Sequence, residues 1–233
     1  MKNLVILTGA GMSSESGIKT FRDSGGLWEN YDVSDVATPE AWYKNQELVL
    51  RFYNERRRQL KNAEPNKGHV GLALLENDFY VQIITQNIDN LHERAGSTHV
   101  LHLHGELTKA RSVENPNLVY DIGYQDINKG DCCETGSQLR PHIVWFGEEV
   151  PMMDEAVRIA QDADIFVIIG TSMVVYPAAG LINYIPPKVP IYVIDPNDVE
   201  VPLTRNLVVI REKATAGVSL LTERLLKAYI IKN

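Results

Sequence analysis

At 233 residues, with 44% apolar and 23% charged residues, the chain has the size and makeup of one large α/β domain, alone or with a small inserted module, and not of a disordered chain or a repeat array. Its net charge of −7, with no basic stripe beyond Arg56-Arg57-Arg58, argues against nucleic-acid binding through phosphates, and no apolar run reaches the ~18 residues of a membrane span. The two cysteines, Cys132 and Cys133, are adjacent and give no disulfide framework, and the first apolar run breaks at Gly9, too soon for a signal peptide, so a cytoplasmic location is expected.

The predicted elements begin with a strand over residues 3–8, which runs into Gly9-Ala10-Gly11 and a knot of small polar residues. Helical patterns follow over 46–61 and 67–77, then strand-like runs over 80–85 and 100–103. Further on come strand-like runs at 143–145, 165–170, 191–195 and 207–210, with helical patterns over 152–162 and 215–231. The alternation, with inner runs nearly continuous in Val and Ile, predicts a parallel sheet covered by helices on both faces. Four runs end in polar residues: Gly9-Ala10-Gly11, Gln86-Asn87-Ile88-Asp89, Gly170-Thr171-Ser172 and Asp195-Pro196-Asn197. Such sheets bind ligands beyond the carboxyl ends of their strands, so the four ends point at one crevice. Residues 106–142, rich in Asn, Asp, Gly and Lys, break the alternation and read as a small module inserted between 1–105 and 143–233.

Glycines at 9 and 11 let the backbone turn tightly and approach a pyrophosphate, with the amides of the next turn as donors. Two glycines alone would equally serve a plain strand-to-helix turn. Ser14 stands where the third glycine of the dinucleotide fingerprint would be, and no lone acidic residue clearly ends a second strand, so a hydride-transferring dehydrogenase is poorly supported.

The wider pattern resembles the sirtuin family of NAD-consuming protein deacylases. Gly9-Ala10-Gly11-Met12-Ser13, Glu15-Ser16-Gly17-Ile18, Phe21-Arg22 and Gly26-Leu27-Trp28 follow its opening signature, and Thr85 to Asp89, His104-Gly105, Phe146-Gly147-Glu148 and Gly170-Thr171-Ser172 follow in the family's order. The resemblance implies a Rossmann-like domain in which NAD is a co-substrate. The acyl oxygen of a modified lysine attacks the nicotinamide ribose, nicotinamide leaves, and the acyl group ends on ADP-ribose. It implies NAD contacts at Gly9, Ala10, Gly11, Ser13, Glu15, Phe21, Arg22, Trp28, Gln86, Asn87, Ile88 and Asp89. Further contacts are implied at Gly170, Thr171, Ser172, Asp195, Pro196, Asn197 and Ala214.

That chemistry needs a base of near-neutral pKa, and "VLHLHGEL" offers two histidines on the same face of an extended segment. Periodicity does not choose between them; the family position, directly before the glycine, is His104, leaving His102 as a packed or partnered strand histidine. Asn87 and Asp89 match the pair that holds the nicotinamide carboxamide, though Asp89 could also cap the helix that begins after it. Residues 145–147 and 172–176, with Phe146, Gly147, Val174, Val175 and Tyr176, resemble the two segments that clamp an extended peptide by strand addition; the plain alternative is two sheet edges.

On the helix "QELVLRFYNERRRQL", Val49, Phe52, Tyr53, Arg56 and Leu60 share one stripe, while Arg57 and Arg58 point elsewhere. Arg56 on an apolar stripe must snorkel, pair within the chain, or meet an anion. Tyr53-x-x-Arg56 also resembles the pair of the sirtuin subgroup that removes acidic acyl groups, which implies desuccinylation and demalonylation beside deacetylation. Two departures from the family stand out. Lys19 replaces a common proline, and Cys132-Cys133 cannot make the four-ligand cage of two Cys-x-x-Cys pairs, so no zinc is expected. Protein mono-ADP-ribosyl transfer and a non-catalytic NAD-binding module are the competing functions.

Overall fold

The computed structural model describes residues 1–19, 31–199 and 206–231. Six strands form one parallel sheet: β1 (Asn3–Thr8), β2 (Tyr80–Thr85), β3 (Val100–His102), β7 (Ile165–Ile169), β8 (Ile191–Ile194) and β9 (Leu207–Ile210). Their order is β3-β2-β1-β7-β8-β9, so chain progression reverses between β1 and β7. This reversal is the switch point at which doubly wound sheets open a crevice. β1 holds the centre, with Thr8 in register with Thr85 on one side and Ile169 on the other.

Alternation along each strand sends side chains to two separate cores. Leu4, Ile6, Ile83, Ile165 and Val167 pack with the helices α5 (Lys67–Leu74) and α8 (Ala214–Leu225). Val5, Leu7, Ile84, Phe166 and Ile168 pack on the opposite side with α7 (Met153–Gln161) and the 3₁₀ segment Ala178–Tyr184. The inner strands are covered on both faces, which is why they read as continuous apolar runs.

A second sheet is antiparallel and small, with β4 (Gly105–Ser112) between β5 (Val119–Asp121) and β6 (Leu139–Ile143). Here the expected strand at 143–145 is corrected: Ile143 ends β6 in this small sheet, and residues 144–145 leave it as loop. A third core packs the small sheet against the helices α2 (Val33–Val36), α3 (Pro39–Lys44) and α4 (Gln46–Asn62), through Trp42, Phe52, Leu107, Ala110, Ile143 and Trp145. The 67–77 helix is α5 followed by a 3₁₀ turn, Leu75–Asn77, and the last helix passes into a π turn at Leu226–Ile230. Among the described residues no helix is long and apolar enough to cross a membrane.

α4 carries the largest surprise. Arg58 turns outward to a 2.7 Å ion pair with Asp126, but Arg57 is fully buried, as is the Val49–Leu60 stripe. The Arg57 Nε donates to Leu107 O at 2.7 Å and Nη1 donates to Asn54 Oδ1 at 2.7 Å, while Asn54 exchanges both of its groups with the backbone of Ile127. The helical wheel expects no such buried cation because the polar partners come from β4 and the 127 loop, far away in sequence.

Candidate active site

At the switch point, the ends of β1 and β7 meet backbone to backbone. Gly9 N–H donates to Ile169 O and Gly11 N–H donates to Gly170 O at 2.9 Å. A Cβ on Gly11 would stand 2.7 Å from Gly170 Cα. Gly170 itself has φ +60°, a conformation side chains avoid. Glycine is therefore needed at 11 first to let two strand ends touch. The amides of Gly9 and Gly11 are both spent on the chain's own carbonyls.

Beyond this contact lies a cavity of ≈ 580 Å³. Gly9, Ala10, Gly11 and Ser14 form one wall, and Gln86, Asn87, Ile88 and His104 another. Gly170, Thr171, Ser172, Asp195, Pro196, Asn197 and Ala214 line it from the β7 to α8 side. Tyr53, Arg56, Trp145, Phe146, Gly147, Val175 and Tyr176 line it toward the small sheet. A smaller adjoining cavity is lined by Ala10, Ser13, Arg56, Asn87, Ile88 and Asp89, so Arg56 and Asn87 border both.

Two expected positions behave differently. The Glu15 carboxylate turns away from the cavity walls and accepts from the N–H and hydroxyl of Thr215 at the start of α8. Val174 is half exposed and is not part of the cavity lining. Phe21, Arg22 and Trp28 lie outside the described residues. Residues 145–147 and 172–176 are loops rather than sheet edges, and Phe146 N–H is committed to Ala37 O.

The two histidines separate sharply. His102, at the end of β3, points one ring nitrogen at Asn87 O (3.1 Å) and the other at Glu93 Oε1 (2.7 Å). Both neighbours are acceptors, so both nitrogens carry protons; burial lowers the pKa, but the Glu93 bond and charge outweigh it and raise the value overall. His104 lies past the strand, in the turn before Gly105 (φ +79°), and lines the cavity. Its Nδ1 meets Gln86 O at 2.9 Å, which requires the proton on Nδ1 and leaves Nε2 a lone pair. Burial lowers its pKa, so the ring is neutral at neutral pH.

Asn87 and Asp89 rest on a buried polar layer. Asn87 Nδ2 donates to Gly9 O (3.0 Å) and Ser13 Oγ (3.1 Å), and the Ser13 hydroxyl donates to Asp89 Oδ2 (2.9 Å). Asp89 Oδ1 accepts Leu91 N–H at 3.2 Å, at the start of α6 (Leu91–Arg94), so the capping contact and a cavity-lining position coexist. Burial raises the Asp89 pKa, and these two donors oppose it. Arg56 is buried, and burial lowers its pKa to about 10 against the pull of Tyr53 and Asp89.

Sequence reasoning missed His69 and His92, which are fully buried beneath this layer with ring centroids 4.8 Å apart. His92 Nε2 lies 3.2 Å from Thr8 Oγ1, which bonds Thr85 Oγ1, which in turn accepts Asn87 N–H. Each looked like a polar residue in a helical segment, and no local pattern marks it. The cysteines diverge, Cys132 exposed and Cys133 buried, and among the described residues no group of three or more His, Cys, Asp or Glu side chains is gathered to hold a metal.

A six-stranded sheet with this order, a glycine contact at its switch point and a cavity beyond it define a doubly wound dinucleotide-type α/β protein with an added antiparallel sheet. The family model described as "Sir2 family" matches residues 9–177, and the chain belongs to that family. It is 54% identical over 233 residues to an NAD-dependent protein deacylase of Bacteroides thetaiotaomicron, covering 98% of this chain and 100% of that protein. A solved Sir2 homolog–NAD complex superposes with a TM-score of 0.86 at 41% identity, covering 97% of this chain and 90% of that one. A Sir2 homologue mutant bound to ADP-ribose reaches 0.89 at 40% identity, covering 99% and 94%.

Proposed function

We propose that the protein is an NAD-dependent protein-lysine deacylase that removes succinyl and malonyl as well as acetyl groups, releasing nicotinamide and O-acyl-ADP-ribose. One observation carries the reading. A single cavity of ≈ 580 Å³ brings the Gly9–Gly11 loop, the free Nε2 of His104 and the Tyr53/Arg56 pair to the same space. That volume falls in the range of small-molecule sites. The donor set also fits the dinucleotide, since a neutral imidazole lines the main cavity, a buried amide borders both cavities and a buried carboxylate lines the smaller one. When bound, NAD would supply the electrophilic ribose carbon and the nicotinamide leaving group.

The chain's own residues divide the remaining work. Gly9 to Gly11, Ser13, Gly170 to Ser172, Asp195 to Asn197 and Ala214 hold the dinucleotide, with Gln86 beside the ribose. Asn87, Ile88 and Asp89 hold the carboxamide. His104 Nε2 takes a ribose hydroxyl proton, which its neutral state permits. Phe146, Gly147 and Val174 to Tyr176 hold the acyl-lysine peptide. Tyr53 donates to, and Arg56 pairs with, a carboxylate at the end of an acidic acyl chain, which offsets the cost of a guanidinium that burial already weakens. Residues 106–142 act as a small module without a zinc cage, and the cytoplasm is the compartment that suits two unbridged cysteines.

Mass spectrometry of acetyl-, succinyl- and malonyl-lysine peptides incubated with the protein and NAD tests this. The expected result is loss of the acyl group with equimolar nicotinamide. Gain of ADP-ribose on the peptide, or an unchanged peptide with every acyl group, would refute it.

A further inference from the structure

The loop that follows β2 is held through its carbonyls. Thr85 O accepts Leu103 N–H at 2.9 Å and Gln86 O accepts His104 Nδ1–H at 2.9 Å. Asn87 O accepts His102 Nδ1–H at 3.1 Å and Ile88 O accepts Leu107 N–H at 2.8 Å. Four successive carbonyls thus each take a donor from the segment 102–107. Two of the donors are backbone amides and a third belongs to His104; the fourth, His102, has no part in the chemistry described so far.

His102 is built for its contact. The side chain is 7% exposed, and Nε2 donates to Glu93 Oε1 at 2.7 Å, which fixes the ring with its other nitrogen toward Asn87 O. With a proton on each nitrogen the ring is charged, and a charged donor holds a carbonyl more firmly than a neutral one. Asn87 O and Ile88 N–H belong to one planar trans peptide unit, so they point in opposite directions. Fixing the carbonyl therefore aims the N–H. That N–H has no acceptor among the described residues, and Ile88 lines both cavities. Asn87 itself is 7% exposed, so without the His102 donor its carbonyl would be left largely buried and unpaired, which favours a turn of the peptide.

We propose that His102, oriented by Glu93, is a positioning residue for nicotinamide: by holding Asn87 O it aims the Ile88 N–H of the same peptide unit at the carboxamide oxygen. The inference rests on the reading, given under Proposed function, that this loop holds the carboxamide. It gives the two histidines of the "HLH" stretch complementary tasks on successive carbonyls, His104 as the base and His102 as the support of the loop beside it.

The test compares three variants by steady-state kinetics with an acetyl-lysine peptide, reading the KM for NAD, the KM for peptide and the inhibition constant of added nicotinamide. His102→Leu should raise the nicotinamide constant and the KM for NAD about three- to tenfold, the range of one hydrogen bond, and change the KM for peptide less than about twofold. His102→Asn, whose amide nitrogen stands at the Nδ1 position, should return both constants to within about twofold of wild type. His102→Gln, whose amide nitrogen stands at the Nε2 position and meets Glu93 instead, should stay near the leucine variant. Melting temperatures screen each protein, and the Asn–Gln contrast carries the test if His102→Leu does not fold. An unchanged nicotinamide constant in the Leu or Gln variant, equal losses in Asn and Gln, or a KM for peptide that rises by the same factor overturns the proposal alone. A wild-type protein that consumes NAD but is not inhibited by nicotinamide removes the carboxamide reading of this loop and the proposal with it.

Discussion

At the scale of single residues, the site depends on which atom of each ring faces the cavity. His104 and His102 are two residues apart, share a sequence environment and differ in protonation because one faces a single carbonyl and the other a carbonyl and a carboxylate. Burial holds the His104 pKa below 6.5, and a base works in its neutral form. The acid limb of kcat/KM should therefore have its midpoint below 6.5, with activity flat from there through neutrality; a midpoint above 7 would remove His104 as the base. His104→Tyr should cost at least about 100-fold in turnover, the low end for a general base, with an unchanged melting temperature. Ser13→Ala should mainly raise the KM for NAD, because the hydroxyl bonds both Asn87 and Asp89 and Ser13 lines the smaller adjoining cavity. Steady-state kinetics with NAD varied reads that split.

Elements meet through contacts that no single segment encodes. α4 is tied to the small sheet by the Asn54–Arg57 pair, which satisfies Leu107 O and both backbone groups of Ile127. Asn54→Ala would leave a fully buried guanidinium short of an acceptor, and about 2–4 kcal/mol of stability should be lost in urea denaturation. A shift under 0.5 kcal/mol would mean the clip is dispensable. The β1–β7 junction is a similar case. Gly11→Ala places a methyl 2.7 Å from Gly170 Cα, so the strand ends must part, at a cost of about 1–3 kcal/mol. The KM for NAD should rise with it, since the loop that moves forms a cavity wall.

Across the whole molecule, the two buried histidines give stability a pH dependence. Burial lowers the His69 pKa from 6.5 to about 4, and His92 lies well below 6.5 for the same reason. Between those limits the unfolded chain binds more protons than the native state, so stability is full above pH 6.5 and falls as pH drops toward 4. For His69 alone the span is on the order of 3 kcal/mol. His102, raised by Glu93, contributes with the opposite sign as pH increases past its native value. Urea midpoints at pH 7 and 5 should differ clearly in the wild type and less in His69→Gln; equal differences would show that His69 is not the source.

How much was legible follows from how local each signal is. The strands β1, β2, β7, β8 and β9, the long helices and the polar strand ends were readable because periodicity and composition lie within a few residues. That Tyr53 and Arg56 share a face, and so line one cavity, was readable because a helix puts residues three apart on the same side. β4 and β5 were not, since their pairing is antiparallel across an irregular register and their partners lie in the third core. The burial of Arg57, the commitment of Gly11 N–H and the contrasting states of His102 and His104 were decided only in three dimensions. The partners lie 9 to 159 residues away in the chain, such as Glu93 for His102, Gln86 for His104 or Gly170 for Gly11, and hydrogen bonds and desolvation act over ångströms of space, not along the sequence.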